Sequence, residues 1–440
     1  MLKESISGVR GIVGNELNPE VIRRYIRGLH DFLPEGPIVV ARDSRPSGQG
    51  IASLICGLCM LYGRDVMDIG IQSTPTTELV VDKTQASGGI IVTASHNPQQ
   101  WNALKFLRSD GLFLDGKELE EVRASMDVED KWARWNEVGN YISYKNSPQT
   151  HIDSIIWLPW LEASRIREKK FRVVLDANHG TGSIVLIPLL KQLGCEIIPL
   201  CCQPTGDFTH EPEPIPANLV NLADMVKLES ADIGLATDPD ADRLALVDEN
   251  GIAIGEEYTL AIGVSEVVNF NPGPIVVNLS TSSMIESLGQ EVFRTPVGEI
   301  NVTKKMIEID SPVGGEGNGG LIVSACHYGR DGSLAAAVVL HRMARTGKTL
   351  SQLVEEFPRL HMIKDKIAAD VEMTEVKERL LDNFSFINLD ETDGLRMQFE
   401  DSWVHVRASN TEAIIRIIAE GRDKKKIGQR VEQIKQVIKK

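Results

Sequence analysis

Aromatic residues make up only 5% of this 440-residue chain, and no apolar run approaches the roughly 20 residues that a membrane-spanning helix needs. Positive charge is in deficit. Forty-seven Lys and Arg face 62 Asp and Glu, a formal net charge of -15 with no basic stripe. That balance disfavours a nucleic-acid or anionic-membrane partner. It does not exclude a small anionic substrate, because a local arginine cluster can outweigh the global field. Cysteine is sparse: of the six, Cys56 and Cys59 stand at C-x-x-C spacing, but inside an apolar, helix-like run over 51–62. No second pair stands at metal-site spacing, so buried reduced thiols fit better than zinc or a redox pair. The opening Met1-Leu2-Lys3-Glu4 lacks an apolar signal region, and the expectation is a cytoplasmic protein. A G-x-S-x-G nucleophile elbow is also missing, which weighs against Ser-His-Asp hydrolysis although His96 follows Ser95.

What the chain has is alternation. Within 1–146, an amphipathic stretch 21–32, a strand 37–41, a helix 51–63, a strand 65–69, a short helix 76–82 and a strand 89–93 follow one another. This order predicts an α/β layer on a mostly parallel sheet. Ser7-Gly8-Val9-Arg10-Gly11 and Arg42 to Ser47 read as loops, and the charged stretch 127–148 reads as a boundary. A second α/β unit has strands 171–176, 196–200, 233–237 and 244–247, with a helix 182–193 and a Pro-rich loop 202–216. A third has strands 274–279 and 321–324 and helices 282–289, 299–308 and 332–343, loosely on the same plan. From about 360 a helix 375–383, strands 395–399, 403–406 and 414–419 and a basic amphipathic helix predict an α+β unit. The expected domains are 1–146, 147–252, 253–362 and 363–440, in keeping with a chain too long for one core.

Four stretches carry chemistry. The apolar Gly89-Ile90-Ile91-Val92 runs into Thr93-Ala94-Ser95-His96-Asn97-Pro98. Asn97-Pro98 forces a turn, so Ser95 stands at a strand tip, a good place for a nucleophile or phosphate carrier. A plain hydroxyl-rich turn is the alternative. Asp238, Asp240 and Asp242 alternate along a tip between two apolar strands. Carboxylates so close repel unless a cation sits among them, and an oxygen-only donor set selects Mg2+ or Ca2+. An EF-hand is ruled out by Arg243 at the required Gly, by Pro239 and by flanking strands. A solvated acidic turn remains open. Gly315, Gly317 and Gly320 match G-x-G-x-x-G, but no clear strand precedes them and a strand follows, so a dinucleotide fingerprint is rejected. A Gly-rich loop holding Glu316 could instead accept sugar hydroxyls. Arg407-Ala408-Ser409-Asn410-Thr411, with Arg416 beyond, has the makings of a phosphate cradle, although Arg407 reads equally as a surface charge.

In this order the four motifs resemble those of the α-D-phosphohexomutase family of phosphoglucomutases, phosphomannomutases and phosphoglucosamine mutases, over the whole chain. The sugar loop, followed by His327 and Arg330-Asp331-Gly332, resembles archaeal-type members. The resemblance implies three similar α/β mixed-sheet domains and a smaller C-terminal α+β domain around a central cleft. It implies a mutase that exchanges hexose 1-phosphate and 6-phosphate through phospho-Ser95 and a bisphosphorylated sugar, leaning to glucosamine or broad in its choice of hexose. Mg2+ would sit on Asp238, Asp240, Asp242 and the Ser95 phosphate, with hexose 1,6-bisphosphate as activator. Arg10, His96, Lys105 and Arg243 would serve catalysis, Lys105 in proton transfer. Glu316 and Asn318 would hold the sugar, and Arg407, Ser409, Asn410, Thr411 and Arg416 the phosphate. Several positions depart from the family pattern: Pro239 for Gly, Ala103 after Asn102, Ala408 and Ala413 for Pro, and Asn318 for Ser. Gly320 stands where many bacterial members have a His that handles protons, and His327 is the candidate in its place. Small sugar phosphates are the expected partners, with a homo-oligomer left open. The rival readings are a non-catalytic phosphosugar-binding protein of the same fold and a phosphatase in which water takes the phosphoryl group.

Overall fold

The computed structural model describes residues 2–5, 8–368, 372–408 and 414–439. The first unit is built on a seven-stranded sheet in the spatial order Lys3–Ser5, Gly8–Ile12, Trp101–Arg108, Gly88–Val92, Ile38–Arg42, Val66–Ile71, Tyr141–Ser143. Gly88–Val92, Ile38–Arg42 and Val66–Ile71 run parallel, with helices Gly48–Leu61 and Thr74–Thr84 packed against them. Strands covered on both faces read as continuous apolar runs rather than alternation, and Gly88–Val92 is buried at all five positions. It then turns back antiparallel into Trp101–Arg108.

That arrangement recurs twice. In the second unit Leu244–Val247, Ile233–Thr237, Arg172–Asp176 and Glu196–Leu200 form one sheet. Its last three strands are parallel and Leu244–Val247 is the antiparallel return. In the third, Val292–Thr295, Ile275–Asn278 and Val313–Glu316 are parallel and Gly320–Val323 is the return. In each unit the turn between a parallel strand and its antiparallel partner carries one motif: Ser95 in the first, Asp238 to Arg243 in the second, Gly317 to Gly319 in the third. These turns lie beyond the carboxyl ends of the parallel strands, where open α/β sheets place their ligand sites. The fourth unit is an antiparallel sheet, His361–Ala368, Ile414–Gly421, Ser402–Ala408, Leu395–Gln398 and Asn388–Asp390, backed by helices Met373–Asn383 and Lys424–Lys439.

Units two and three share a core. Helix Gly332–Thr346 runs between them, and Leu334 to Leu340 are completely buried. A helix apolar on every side has no solvated face to present. Asp331 caps its start, accepting from the backbone N–H groups of Ser333 and Leu334. Cys56 and Cys59 are free and buried on helix Gly48–Leu61, where burial pushes each thiol up to about 12.

Several expectations are corrected. Gly8 to Gly11 is not a loop but most of strand Gly8–Ile12, which carries Arg10. Strand Val313–Glu316 does precede the glycine-rich loop, although its Gly314-Gly315 pair hides it from a propensity reading. The glycines are there for space: a Cβ on Gly314 would lie 2.5 Å from the Val276 carbonyl oxygen, and one on Gly315 would lie 2.2 Å from that of Gly320. The dinucleotide reading still fails, because a strand and not a helix follows. Tyr141–Ser143, inside the stretch read as a boundary, adds an edge strand to the first sheet. The segment 282–289 forms a 3-10 helix over Ser283–Leu288. Among the described residues, no helix is long and apolar enough to cross a membrane.

Candidate active site

The three turns and the fourth sheet meet at a cleft of about 930 Å3. His96 and Asn97 line it, and Ser95 lies just beneath them, buried, with a left-handed backbone at φ 49°. A non-glycine residue in that region is held there by its surroundings, and the surroundings are specific. The Thr93 hydroxyl accepts from the Ser95 N–H at 3.0 Å and donates to Asp43 Oδ2 at 2.7 Å. Arg45, fully buried and paired with Asp43, donates to the Ser95 carbonyl at 2.7 Å and also reaches the Asn97 carbonyl. The hydroxyl itself is left to point across the domain boundary, donating to Asp238 Oδ2 at 2.9 Å.

Asp238, Asp240 and Asp242 are fully buried, and one oxygen from each lies within 4.8 Å of the others. Ala241, left-handed at φ 55°, makes the turn that brings the three carboxylates together. Lys105 Nζ and the Thr74 hydroxyl both donate to Asp240 Oδ2 at 2.7 Å. Burial, with Asp242 and Asp240 beside it, pushes the Asp238 carboxyl well above the usual carboxylate range. Burial alone would raise Asp240 too, but Lys105 and Thr74 outweigh it and hold that carboxyl low. Asp240 Oδ1 and Asp242 Oδ1 are buried with no hydrogen-bond partner. Buried carboxylate oxygens left unpaired are costly. A hard divalent cation would satisfy them, and the donor set is all oxygen. The triad could hold a metal ion.

Cations crowd around these carboxylates despite the acidic chain. Arg243 Nε lies 3.9 Å from Asp238 and 3.7 Å from Asp242, and Arg10 donates to Asn97 Oδ1 at 3.0 Å. The half-buried His96 has its Nδ1 3.4 Å from Ser95 Oγ. Burial, then Arg243 and Arg10, push its imidazole well below the ordinary value, so it faces Ser95 neutral. Arg10, His96, Lys105 and Arg243 all line the cleft.

Glu316 and Asn318 also line the cleft. Glu316 Oε1 accepts from Asn278 at 2.8 Å and from the Gly298 N–H at 2.9 Å, and Oε2 accepts from Arg330 at 2.7 Å. Arg407 and Arg416 sit directly opposite each other on neighbouring strands, and both reach the cleft. Ser409, Asn410, Thr411 and Ala413 lie outside the described residues.

His327 is not brought to the cleft. The segment after Gly320–Val323 folds back through a bridge between Val323 and His327. Its Nε2 then lies 3.2 Å from Asp331 Oδ2 and its Nδ1 3.5 Å from Glu78 Oε2. Burial alone would lower this imidazole, but Asp331 and Glu78 raise it to about 10. A proton held that firmly behind the wall is badly placed to serve a sugar oxygen. Four residues of the site carry no clear signal in the sequence: Arg45, Thr74, Glu299 and Arg330. Arg45 belongs to a stretch legible only as a loop, and Arg330 shows only as part of an Arg-Asp-Gly triplet.

Profiles of all four domains of one family match the chain in order. They are described as phosphoglucomutase/phosphomannomutase alpha/beta/alpha domains I, II and III, at residues 2–132, 149–251 and 256–360, and the C-terminal domain, at 359–437. The chain belongs to the phosphoglucomutase/phosphomannomutase family, the phosphohexomutase class of isomerases in carbohydrate metabolism. It is 34% identical to a phosphoglucomutase/phosphomannomutase of Thermococcus kodakarensis, covering 95% of this chain and 94% of the relative. It is 33% identical to a probable phosphoglucosamine mutase of Methanopyrus kandleri, over 94% of this chain and 92% of the relative. The fold matches a phosphoglucomutase/phosphomannomutase family protein of Burkholderia thailandensis with a TM-score of 0.86 at 24% identity, covering 100% of this chain and 98% of that one.

Proposed function

We propose that this enzyme is a Mg2+-dependent mutase that moves a phosphoryl group between O1 and O6 of a hexose through phospho-Ser95. The observation that carries the reading is the Ser95 hydroxyl, 2.9 Å from Asp238 Oδ2, next to a cleft lined by His96, Glu316, Arg407 and Arg416. In the first half-reaction the P–O bond to Ser95 Oγ breaks, a P–O bond to a sugar hydroxyl forms, and the proton that hydroxyl loses ends on Ser95 Oγ. The bisphosphate then turns over and its other phosphoryl group returns to Ser95 Oγ. Phosphoryl transfer of this kind is mostly positioning and charge neutralisation. Arg10 and Arg243 face the transferring group, and Lys105 neutralises Asp240. Glu316, with both oxygens already oriented, accepts from sugar hydroxyls. Arg407 and Arg416 take the distal phosphate as a fork between two strands. Mg2+ on Asp238, Asp240 and Asp242 would offset the negative charge of the transferring group.

The choice of hexose is broad or leans to glucosamine. Glucose, mannose and glucosamine differ only at C2, and a site rejects strongly only where it dedicates a hydrogen bond to the differing group. The glycine-rich wall offers little bulk for such a contact. The test is kcat/KM for glucose, mannose, glucosamine and N-acetylglucosamine 1-phosphates, side by side. A preference of about a hundredfold for one neutral hexose, roughly 2.7 kcal/mol, would overturn this reading.

Turnover also requires the intermediate to reorient, so the phosphate fork must release and re-form. The fourth unit leans on the third through His405 to Ser280 at 2.9 Å, Arg396 to the Leu279 carbonyl at 3.0 Å and Lys364 to Glu256 at 2.7 Å. Amide hydrogen exchange in 361–439 is expected to slow when hexose 6-phosphate binds. Unchanged exchange would count against closure.

A further inference from the structure

We propose that Arg330 is a positioning residue that ties the metal loop to the sugar loop, and that position 320 is glycine so that this side chain can pass. The inference rests on the mutase reading for its substrate but not for its geometry. Arg330 is buried, and its guanidinium serves three carboxylates from three segments. It donates to Asp242 Oδ2 at 2.5 Å, to Glu316 Oε2 at 2.7 Å and to Glu299 Oε2 at 2.9 Å. Its own N–H goes to Glu299 Oε1 at 3.2 Å. Asp242 belongs to the candidate metal triad, Glu316 to the sugar loop, and Glu299 opens helix Glu299–Glu308. The guanidinium's donors on Nε, Nη1 and Nη2 point in different directions from one rigid plane, which suits three carboxylates at once.

The path of the side chain accounts for the glycine. A Cβ on Gly320 would lie 2.3 Å from Arg330 Cδ. A side chain at 320 and the observed Arg330 are therefore mutually exclusive. The chain presents a permanently charged guanidinium from a neighbouring segment where a residue at 320 would otherwise project.

The charge arrangement sets the sign of the expected effects. Arg330 and a cation on the triad compete for the Asp242 carboxylate and repel each other. Arg330 also fixes Glu316, and misplacing a positioning group costs about 100-fold in rate. Removing the guanidinium should then favour the metal and disfavour the sugar. In Arg330→Gln, Mg2+ measured by titration calorimetry on the full chain should bind severalfold tighter. Hexose 6-phosphate should bind at least about tenfold weaker, with kcat/KM down about 100-fold. Arg330→Lys, a point charge without the fork, should restore one shift but not both. Gly320→Ala, which leaves Arg330 intact but blocks its path, should reproduce the Arg330→Gln pair of shifts. A variant that merely unfolds would weaken both ligands together, and that result in both Arg330→Gln and Gly320→Ala overturns the proposal. So does unchanged binding of both. If the unmodified enzyme isomerises no hexose phosphate, the mutase reading fails while the two opposed binding shifts still test Arg330.

Discussion

Ser95→Ala is expected to lower turnover on the order of a millionfold, as removal of a covalent nucleophile does. The backbone should hardly notice. The loop is fixed by Arg45 on the Ser95 carbonyl and by Thr93 on the Ser95 N–H, and neither contact uses the hydroxyl. The left-handed φ of 49° is already imposed by those contacts. What disappears is the oxygen proposed to take the phosphoryl group. Intact-mass analysis after incubation with glucose 1,6-bisphosphate should show one phosphoryl group added to the unmodified enzyme and none to Ser95→Ala. Full turnover in the variant would end the phosphoserine mechanism. Steady release of inorganic phosphate by the unmodified enzyme would favour a phosphatase instead.

The second large effect is expected at the triad, where the three aspartates should not behave alike. Each Asp→Asn change, or excess chelator, should cut turnover about 100-fold or more by emptying the proposed cation site. Stability separates them. Asp240 holds the buried Lys105 at 2.7 Å. Leaving that ammonium without its carboxylate costs about 3 kcal/mol, the usual penalty for breaking a buried pair, so Asp240→Asn should melt lower. Asp238 is crowded by Asp240 and Asp242. Removing its charge relieves repulsion, so Asp238→Asn should melt higher in chelator while losing activity. Thermal melts of both variants in chelator check this directly. Equal falls in melting temperature, or undiminished activity in chelator, would show that the triad is structural.

The motifs were legible because each is local. Ser95 lies between an apolar strand and Asn97-Pro98, and Asp238 to Arg243 lies between two apolar runs. The strands and turns that place them follow from a few consecutive residues. Two glycine-bearing strands, Gly8–Ile12 and Val313–Glu316, were not legible. Their glycines answer to neighbours distant in sequence, Leu104 for Gly8 and Val276 for Gly314, rather than to strand propensity. His327 misled for the same reason. Its distance from Gly320 along the chain is short, but the return bridge to Val323 carries it behind the wall.

Sequence alone thus specified the repeated α/β plan, the serine at a strand tip and the oxygen-rich acidic turn, because local periodicity and turn chemistry act over a handful of residues. It could not say which charges meet. Arg45, Lys105 and Arg330 reach Ser95 and the acidic turn from segments 50, 135 and 88 positions away from their partners Ser95, Asp240 and Asp242. A chain with a net charge of -15 therefore presents a cleft whose lining carries more Lys and Arg than Asp and Glu. Coulomb energies depend on separation in space and on burial, and only the packing of the four units brings these groups to within hydrogen-bonding distance in a buried site.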